Sequence, residues 1–170
     1  MTGVAKDMLG QPNKLESMVP KLDFVFQSRV TFNPTITLGN LGGMGVRMMI
    51  GIQGGDFEGP SIRGKILPGG AEWPLVRPDG VGIIDARYTL ETDDGVLINI
   101  RNTGYRQGPS ATMAKLNGRK EVVDPEEYYL RTYTIFEAPV GQYDWLARHV
   151  FIGIGERQPE VLYLRYYVLR

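Results

Sequence analysis

The chain has no cysteine and a single histidine, His149. Without thiols there are no disulfides, no thiolate metal sites and no cysteine nucleophile, which suits a reducing cytosol. One imidazole is too few for a histidine-rich metal site and supplies at most one base of its kind. Net charge is missing as well, since 19 Lys+Arg balance 19 Asp+Glu and no basic block occurs. Nucleic acid, which needs a positive footprint, is therefore not the expected partner. No apolar run approaches the roughly 20 residues of a membrane span, so no membrane partner is expected. Residues 1–20 lack the continuous apolar core of a secretory signal and read as an irregular arm. A GxSxG elbow, a P-loop and a dinucleotide fingerprint are also absent, so neither cofactor nor metal is expected, and the cytoplasm is the expected compartment.

What remains describes one globular domain over residues 21–170. With 42% hydrophobic and 22% charged residues in a chain of 170, there is enough apolar material for a sizeable core. Glycine and proline crowd the stretch Gly54–Leu90, GGDFEGPSIRGKILPGGAEWPLVRPDGVGIIDARYTL. Such density marks turns of fixed geometry, and the aromatic and charged residues between them set it apart from a floppy linker. It reads as a stiff loop system feeding a strand, a common seat for a binding or catalytic site.

Around that stretch the pattern alternates with a period of two. Leu22, Phe24, Phe26, Val30 and Phe32 share one face of a first strand, with Ser28 the polar exception. Val46, Met48, Ile50 and Ile52 share a face of a second. Asp93-Asp94-Gly95 predicts a hairpin with Gly95 in the left-handed region, pairing Leu90 with Ile98, Tyr88 with Ile100 and Ala86 with Asn102. One face of that hairpin is then apolar, while the other carries Asp85, Arg87 and Arg101, and a one-residue slip would mix them. Residues 105–124 read as a long loop or short hairpin. Glu127–Ala138 reads as a strand, residues 142–149 as about two helical turns, and 150–154 and 161–169 as the last strands. Many short strands with turns between them predict an all-β fold, and a single antiparallel barrel protects the most edges.

Several residues are candidates for chemistry, each with a plainer alternative. Asp85 and Arg87 either flank a ligand or form a solvated ion-pair face. Trp73 and Trp145 either line a pocket or plug a barrel end. Tyr88 projects into the barrel wherever its face is the lining. Arg131 and Glu137 stand too far apart along one strand to meet, so each needs a partner elsewhere, with Asp85 and Arg87 as candidates. His149 caps the short helix or faces a ligand.

The pieces GGDFEGP, GKILPGGAEWPLVRPDG, DARYTLETDDG, YYLRT-x-x-x-FE at 128–137 and YDWLARHVFIGIGER at 143–157 together resemble the marker pattern of the domain of unknown function 3237 family. The resemblance runs from about Leu22 to the C-terminus. It implies a lipocalin-like (calycin-type) barrel with a pocket and no particular reaction. Ala147 departs from the asparagine expected after the Trp-Leu pair, and Glu72 stands where aspartate is frequent.

Two functions from different classes follow. The first is a cofactor-independent isomerase, cyclase or hydro-lyase acting on a small, mostly apolar or aromatic, oxygenated metabolite. In it Glu72 or Asp85 moves protons and Arg87 or Arg131 stabilises an oxyanion, while Trp73, Arg77, Tyr88, Trp145 and His149 contact substrate. The second is a lipocalin-like carrier with the same pocket and no chemistry. Convergence of an acid and a cation inside a closed cavity separates them. A homodimer through the 105–124 segment and the N-terminal arm is the expected assembly.

Overall fold

A computed structural model of the protein describes residues 14–170, so most of the expected N-terminal arm lies outside the described residues. Residues 14–17 form a 3₁₀ turn, and 18–20 are exposed chain leading into the first strand. Period-two alternation then yields eleven strands: β1 (Leu22–Phe32), β2 (Ile36–Asn40), β3 (Val46–Glu58), β4 (Arg63–Ile66), β5 (Ala71–Glu72), β6 (Leu75–Val76), β7 (Gly82–Thr92), β8 (Leu97–Gln107), β9 (Tyr129–Glu137), β10 (Phe151–Arg157) and β11 (Val161–Leu169). Their antiparallel order runs β1-β11-β10-β9-β8-β7-β4-β3, and β1 pairs with β3 to close the ring. The result is a closed eight-stranded antiparallel barrel. Closure removes the free edges such apolar strands would otherwise expose.

The eighth strand is broken. β4, β5 and β6 lie one after another between β3 and β7, each pairing with both. Pro68 and Pro74 lack the amide hydrogen a ladder needs, so the wall is interrupted at those points. The glycine- and proline-rich stretch is therefore part of the barrel wall itself.

The β7–β8 hairpin has the expected register, with Leu90 opposite Ile98, Tyr88 opposite Ile100 and Ala86 opposite Asn102. Gly95 turns it at φ 83°. The apolar face looks inward: Leu90, Ile98 and Ile100 are wholly buried. In β1 a register shift between Phe24 and Phe26 interrupts the alternation. Phe26, Ser28 and Val30 are buried, whereas Leu22 is exposed and Phe24 carries the Arg165 guanidinium 4.5 Å from its ring centre.

Helix placement differs from expectation. The α-helix, α1 (Ser110–Gly118), lies in the segment expected to be a loop or hairpin. A serine, a threonine, an asparagine and a terminal glycine in nine residues make a poor helix signal, and only Thr112, Met113 and Leu116 are buried. Packing on the barrel mouth supplies what propensity does not. The expected helix at 142–149 is a 3₁₀ turn, Asp144–Arg148.

Register divides the interior into two halves. Toward the 93–95 turn, Phe26, Phe136, Phe151 and Tyr166 interlock with ring centres 4.5 to 6.2 Å apart. Leu146 and Trp145 of the 3₁₀ turn close over them. The opposite half, under α1, is hollow.

Candidate functional site

Glu72 reaches the hollow half through a close backbone approach. A Cβ on Gly70 would fall 2.4 Å from Tyr88 Cβ and 2.6 Å from the Arg87 carbonyl oxygen, so only glycine lets the chain run this near β7. Ile52 donates its amide hydrogen to the Gly70 oxygen at 2.8 Å, and Ala71 and Glu72 then pair with Arg87 and Ala86. Ala86 is an inward position, so Glu72 points inward with it, while Trp73, the next residue, points out. Glu72, expected in a loop, is a strand residue.

The cavity it faces measures about 430 Å³. Most of its wall is apolar, with Ile50, Ile52 and Met48 from β3, Val30 from β1, and Leu130 and Leu164 from β9 and β11. Into this wall come one carboxylate, Glu72, and three guanidinium groups, Arg106 of β8, Arg157 of β10 and Arg119 just past α1. Arg106 Nη2 donates to Asn117 Oδ1 at 2.7 Å, tying it to the helix. The Arg157 guanidinium stacks 4.6 Å from the centre of the Phe32 ring and is 8% exposed. Among the described residues no carboxylate comes within ion-pair distance of Arg106, Arg119 or Arg157. Six other arginines, at 29, 63, 77, 101, 148 and 170, each pair with an aspartate on the exterior. At the cavity, three cations face a single carboxylate.

Electrostatics follow from this enclosure. Burial pushes the Glu72 carboxyl above its usual range, and the charges of Arg106, Arg157 and Arg119 pull it partly back. The part of Glu72 that remains accessible faces the cavity. Desolvation lowers Arg157 to about 10, reinforced by Arg119 and opposed by Glu72. It lowers Arg106 also, again with Glu72 opposing.

A polar layer forms the floor between the hollow and packed halves. The hydroxyls of Tyr88 and Tyr166 lie 2.8 Å apart, Asn102 Nδ2 donates to the Tyr166 oxygen at 3.4 Å, and Thr134 Oγ1 donates to Asn102 Oδ1 at 2.7 Å. All four side chains are buried. Burial raises the Tyr88 phenol well above its usual range and brings Tyr166 to about 12. Thr132 Oγ1, also on the cavity wall, is buried without a hydrogen-bond partner.

Of the nine residues expected from sequence, the structure brings Glu72 and Tyr88 to the cavity. Asp85 is on the outer face beside Arg101, 3.7 Å away, and Arg87 projects to solvent. Arg131 is also outside, 5.2 Å over the Tyr129 ring, and it meets neither Asp85 nor Arg87. Arg77 pairs with Asp79 in the β6–β7 turn. Trp73 is 45% exposed, with its carbonyl bonded to Arg47. Trp145 and His149 lie at the packed end, where His149 Nδ1–H donates to the Trp145 carbonyl at 2.8 Å, as a cap does. Sequence reasoning missed Arg106, Arg119, Arg157, Asn117 and Asn102 as a group. Two of these had a legible signal: Arg106 falls in phase with Ile98 and Ile100, and Arg157 with Phe151. Among the described residues no three of His, Asp and Glu gather as a metal site requires.

Comparison with known proteins places the chain in a family. A family described as "Protein of unknown function (DUF3237)" matches residues 20–169, and the chain belongs to it. A protein of Rhodopseudomonas palustris called a UPF0311 protein is 38% identical over 145 residues, covering 84% of this chain and 94% of that one. A solved structure of a conserved protein of unknown function from Rhodopseudomonas palustris superimposes with a TM-score of 0.83 at 32% identity, covering 89% of this chain and 98% of the other. A β-barrel-like protein of Acinetobacter baumannii gives 0.78 at 38% identity, covering 89% and 97%. A protein of Penicillium herquei described as an enzyme gives 0.66 at 19% identity, covering 89% and 95%, a likeness of fold alone.

Proposed function

We propose that this member of the DUF3237 family is a cofactor-independent acid–base enzyme, of isomerase, cyclase or hydro-lyase type, acting on a small, mostly apolar oxygenated metabolite. The observation that carries the reading is the convergence of one carboxylate with three unpaired guanidinium groups inside an otherwise apolar cavity. A carrier of an anion would need the cations but has no use for the carboxylate among them. A buried cation without a carboxylate partner, as Arg157 is, costs several kcal/mol, a cost a chain tolerates where the charge serves a ligand.

In this reading Glu72 moves the proton. A carboxyl raised toward neutrality both accepts and returns a proton efficiently. It takes a hydrogen from carbon next to a carbonyl; the C–H electron pair moves into the new C=C bond and the carbonyl π pair onto oxygen. The resulting enolate lies in a low-dielectric cavity, where the guanidinium charge of Arg106 and Arg157 stabilises it without reorganisation. Glu72 then returns the proton to a different atom, and the sequence is an isomerisation. Tyr88 contributes a hydroxyl. With the Tyr166 oxygen accepting from Asn102, a Tyr166 proton directed at Tyr88 leaves the Tyr88 proton for the ligand.

The test needs no knowledge of the natural substrate. Aryl and alkyl ketones with enolisable hydrogens are incubated with the protein in heavy water, and deuterium at the α-carbon is followed by NMR. Wild type is expected to exchange at least one of them, and Glu72→Gln to be slower by about 10²–10⁴-fold. Exchange at equal rates in wild type and Glu72→Gln overturns the reading.

A further inference from the structure

We infer that the natural ligand is a small organic acid, an apolar body ending in one carboxylate, bound with that carboxylate against Arg157, Arg106 and Arg119 at the α1 end of the cavity. The inference deepens the function proposed above and rests on the same cavity being the site.

Charge comes first. Three cations face one carboxylate across a wall that is otherwise largely apolar, in a protein with no net charge. Six exterior arginines find aspartates and others, such as Arg87, are left to solvent, whereas Arg157 is buried with neither. A buried Arg157 with an acidic partner missing is half of an ion pair, and an anionic ligand completes it.

Geometry narrows the anion to a carboxylate. Phe32 covers one side of the Arg157 guanidinium, with its ring centre 4.6 Å from the guanidinium carbon, and the N–H edge is free to meet a ligand. That edge is a planar fork of N–H donors, matched by the two oxygens of a carboxylate. A phosphate dianion fits less well. The helix at this end presents its C-terminal residues Leu116 and Asn117 to the cavity, and a helix C-terminus carries partial negative charge that opposes a second anionic charge. The rest of the cavity, from Ile50 and Ile52 to Leu130 and Leu164, takes an apolar body, and about 430 Å³ is ample for a ring or two.

The experiment uses 2-naphthoate and 2-naphthamide, which share an apolar body and differ in charge, titrated into the whole protein by calorimetry. The carboxylate is expected to bind at least tenfold more tightly than the amide. Arg157→Met is expected to bring that preference down to within threefold. Arg119→Gln, at a half-exposed position, repeats the measurement should Arg157→Met fold poorly, and is expected to reduce the preference severalfold. Equal affinity for the two probes, no carboxylate binding at millimolar concentration, or a preference undiminished in both variants overturns the inference. Neither probe has an enolisable hydrogen, so the result is independent of turnover. Carboxylate preference alongside exchange that ignores Glu72 removes only the enzyme. Glu72-dependent exchange without carboxylate preference removes only the acid.

Discussion

The two halves of this barrel are built from the same eight strands and spend their interiors differently. Toward the 93–95 turn, aromatic rings of Phe26, Phe136, Phe151 and Tyr166 fill the lumen edge to face, and the 3₁₀ turn at 144–148 closes it with Leu146. Under α1 the same strands present mostly aliphatic side chains around a void, with charges among them. The packed half carries the stability; the hollow half retains buried charges and an unpartnered threonine hydroxyl that reduce it. The packed core and the candidate site are thus separated along the barrel axis, with the Tyr88–Tyr166–Asn102–Thr134 layer as the boundary.

The comparison is tested most strongly by truncation on either side of the boundary. Phe136→Ala in the packed half is expected to cost about 3–5 kcal/mol, as filled aromatic sites do. Met48→Ala, on the cavity wall, is expected to cost below about 1.5 kcal/mol because it enlarges a space that already exists and leaves no new void. Denaturant unfolding of both variants decides the matter, and similar losses would dissolve the distinction.

The boundary itself should show an intermediate effect. Tyr166→Phe removes the acceptor of the Asn102 amide, leaving a buried donor without a partner at about 1–3 kcal/mol. The same variant alters the alkaline limb. Tyr166 is raised to about 12 in the folded protein, so its contribution to folding is complete below pH 10 and is lost as the pH climbs from there toward 12. Unfolding followed across that range is expected to be less steeply pH-dependent in Tyr166→Phe than in wild type.

On the hollow side a deletion should stabilise. Arg157→Met relieves an unpaired buried cation, worth several kcal/mol by desolvation, and loses a stacking contact with Phe32 worth about 0.5–2 kcal/mol. The ligand-free protein is expected to gain roughly 1–2 kcal/mol, read as a higher melting temperature, where most core substitutions lower it. A melting temperature below wild type would mean that the arginine holds the fold as well as the site.

The smallest effect concerns Glu72. Its carboxyl is raised on folding, so its contribution is present in full below the ordinary glutamate pKa and fades as the pH rises through the shifted value. Wild type is expected to lose stability relative to Glu72→Gln over that rise. Parallel stability curves from pH 4 to pH 8 would place Glu72 in contact with solvent.

Much of the wall was legible because alternation is a local property. The β7–β8 register followed from Asp93-Asp94-Gly95 and the apolar phase of Tyr88, Leu90, Ile98 and Ile100, and the shared face of Val46, Met48, Ile50 and Ile52 in β3 was equally plain. Of the candidate site, only Glu72 and Tyr88 are singled out from the sequence. Asp85, Arg87 and Arg131 drew notice as charges near the glycine-rich stretch, yet their strand phase sends them outward. Arg106 and Arg157 have the inward phase and went unremarked, since an arginine on an apolar face reads as an exception until the face is known to surround a void. Helix α1 escaped because its nine residues depend on the barrel mouth beneath them.

Sequence by itself determined that the chain is all-β, where its main turns fall, and which residues share a strand face. Each of these rests on backbone geometry and periodicity within a few residues. Tertiary structure alone decided that the broken strand β4–β6 lies in the barrel wall and turns Glu72 inward, and that Glu72, Arg106, Arg119 and Arg157 meet. Those residues are separated by up to eighty-five positions in the chain. What brings them together is closure of the ring between β1 and β3, a pairing no local pattern encodes.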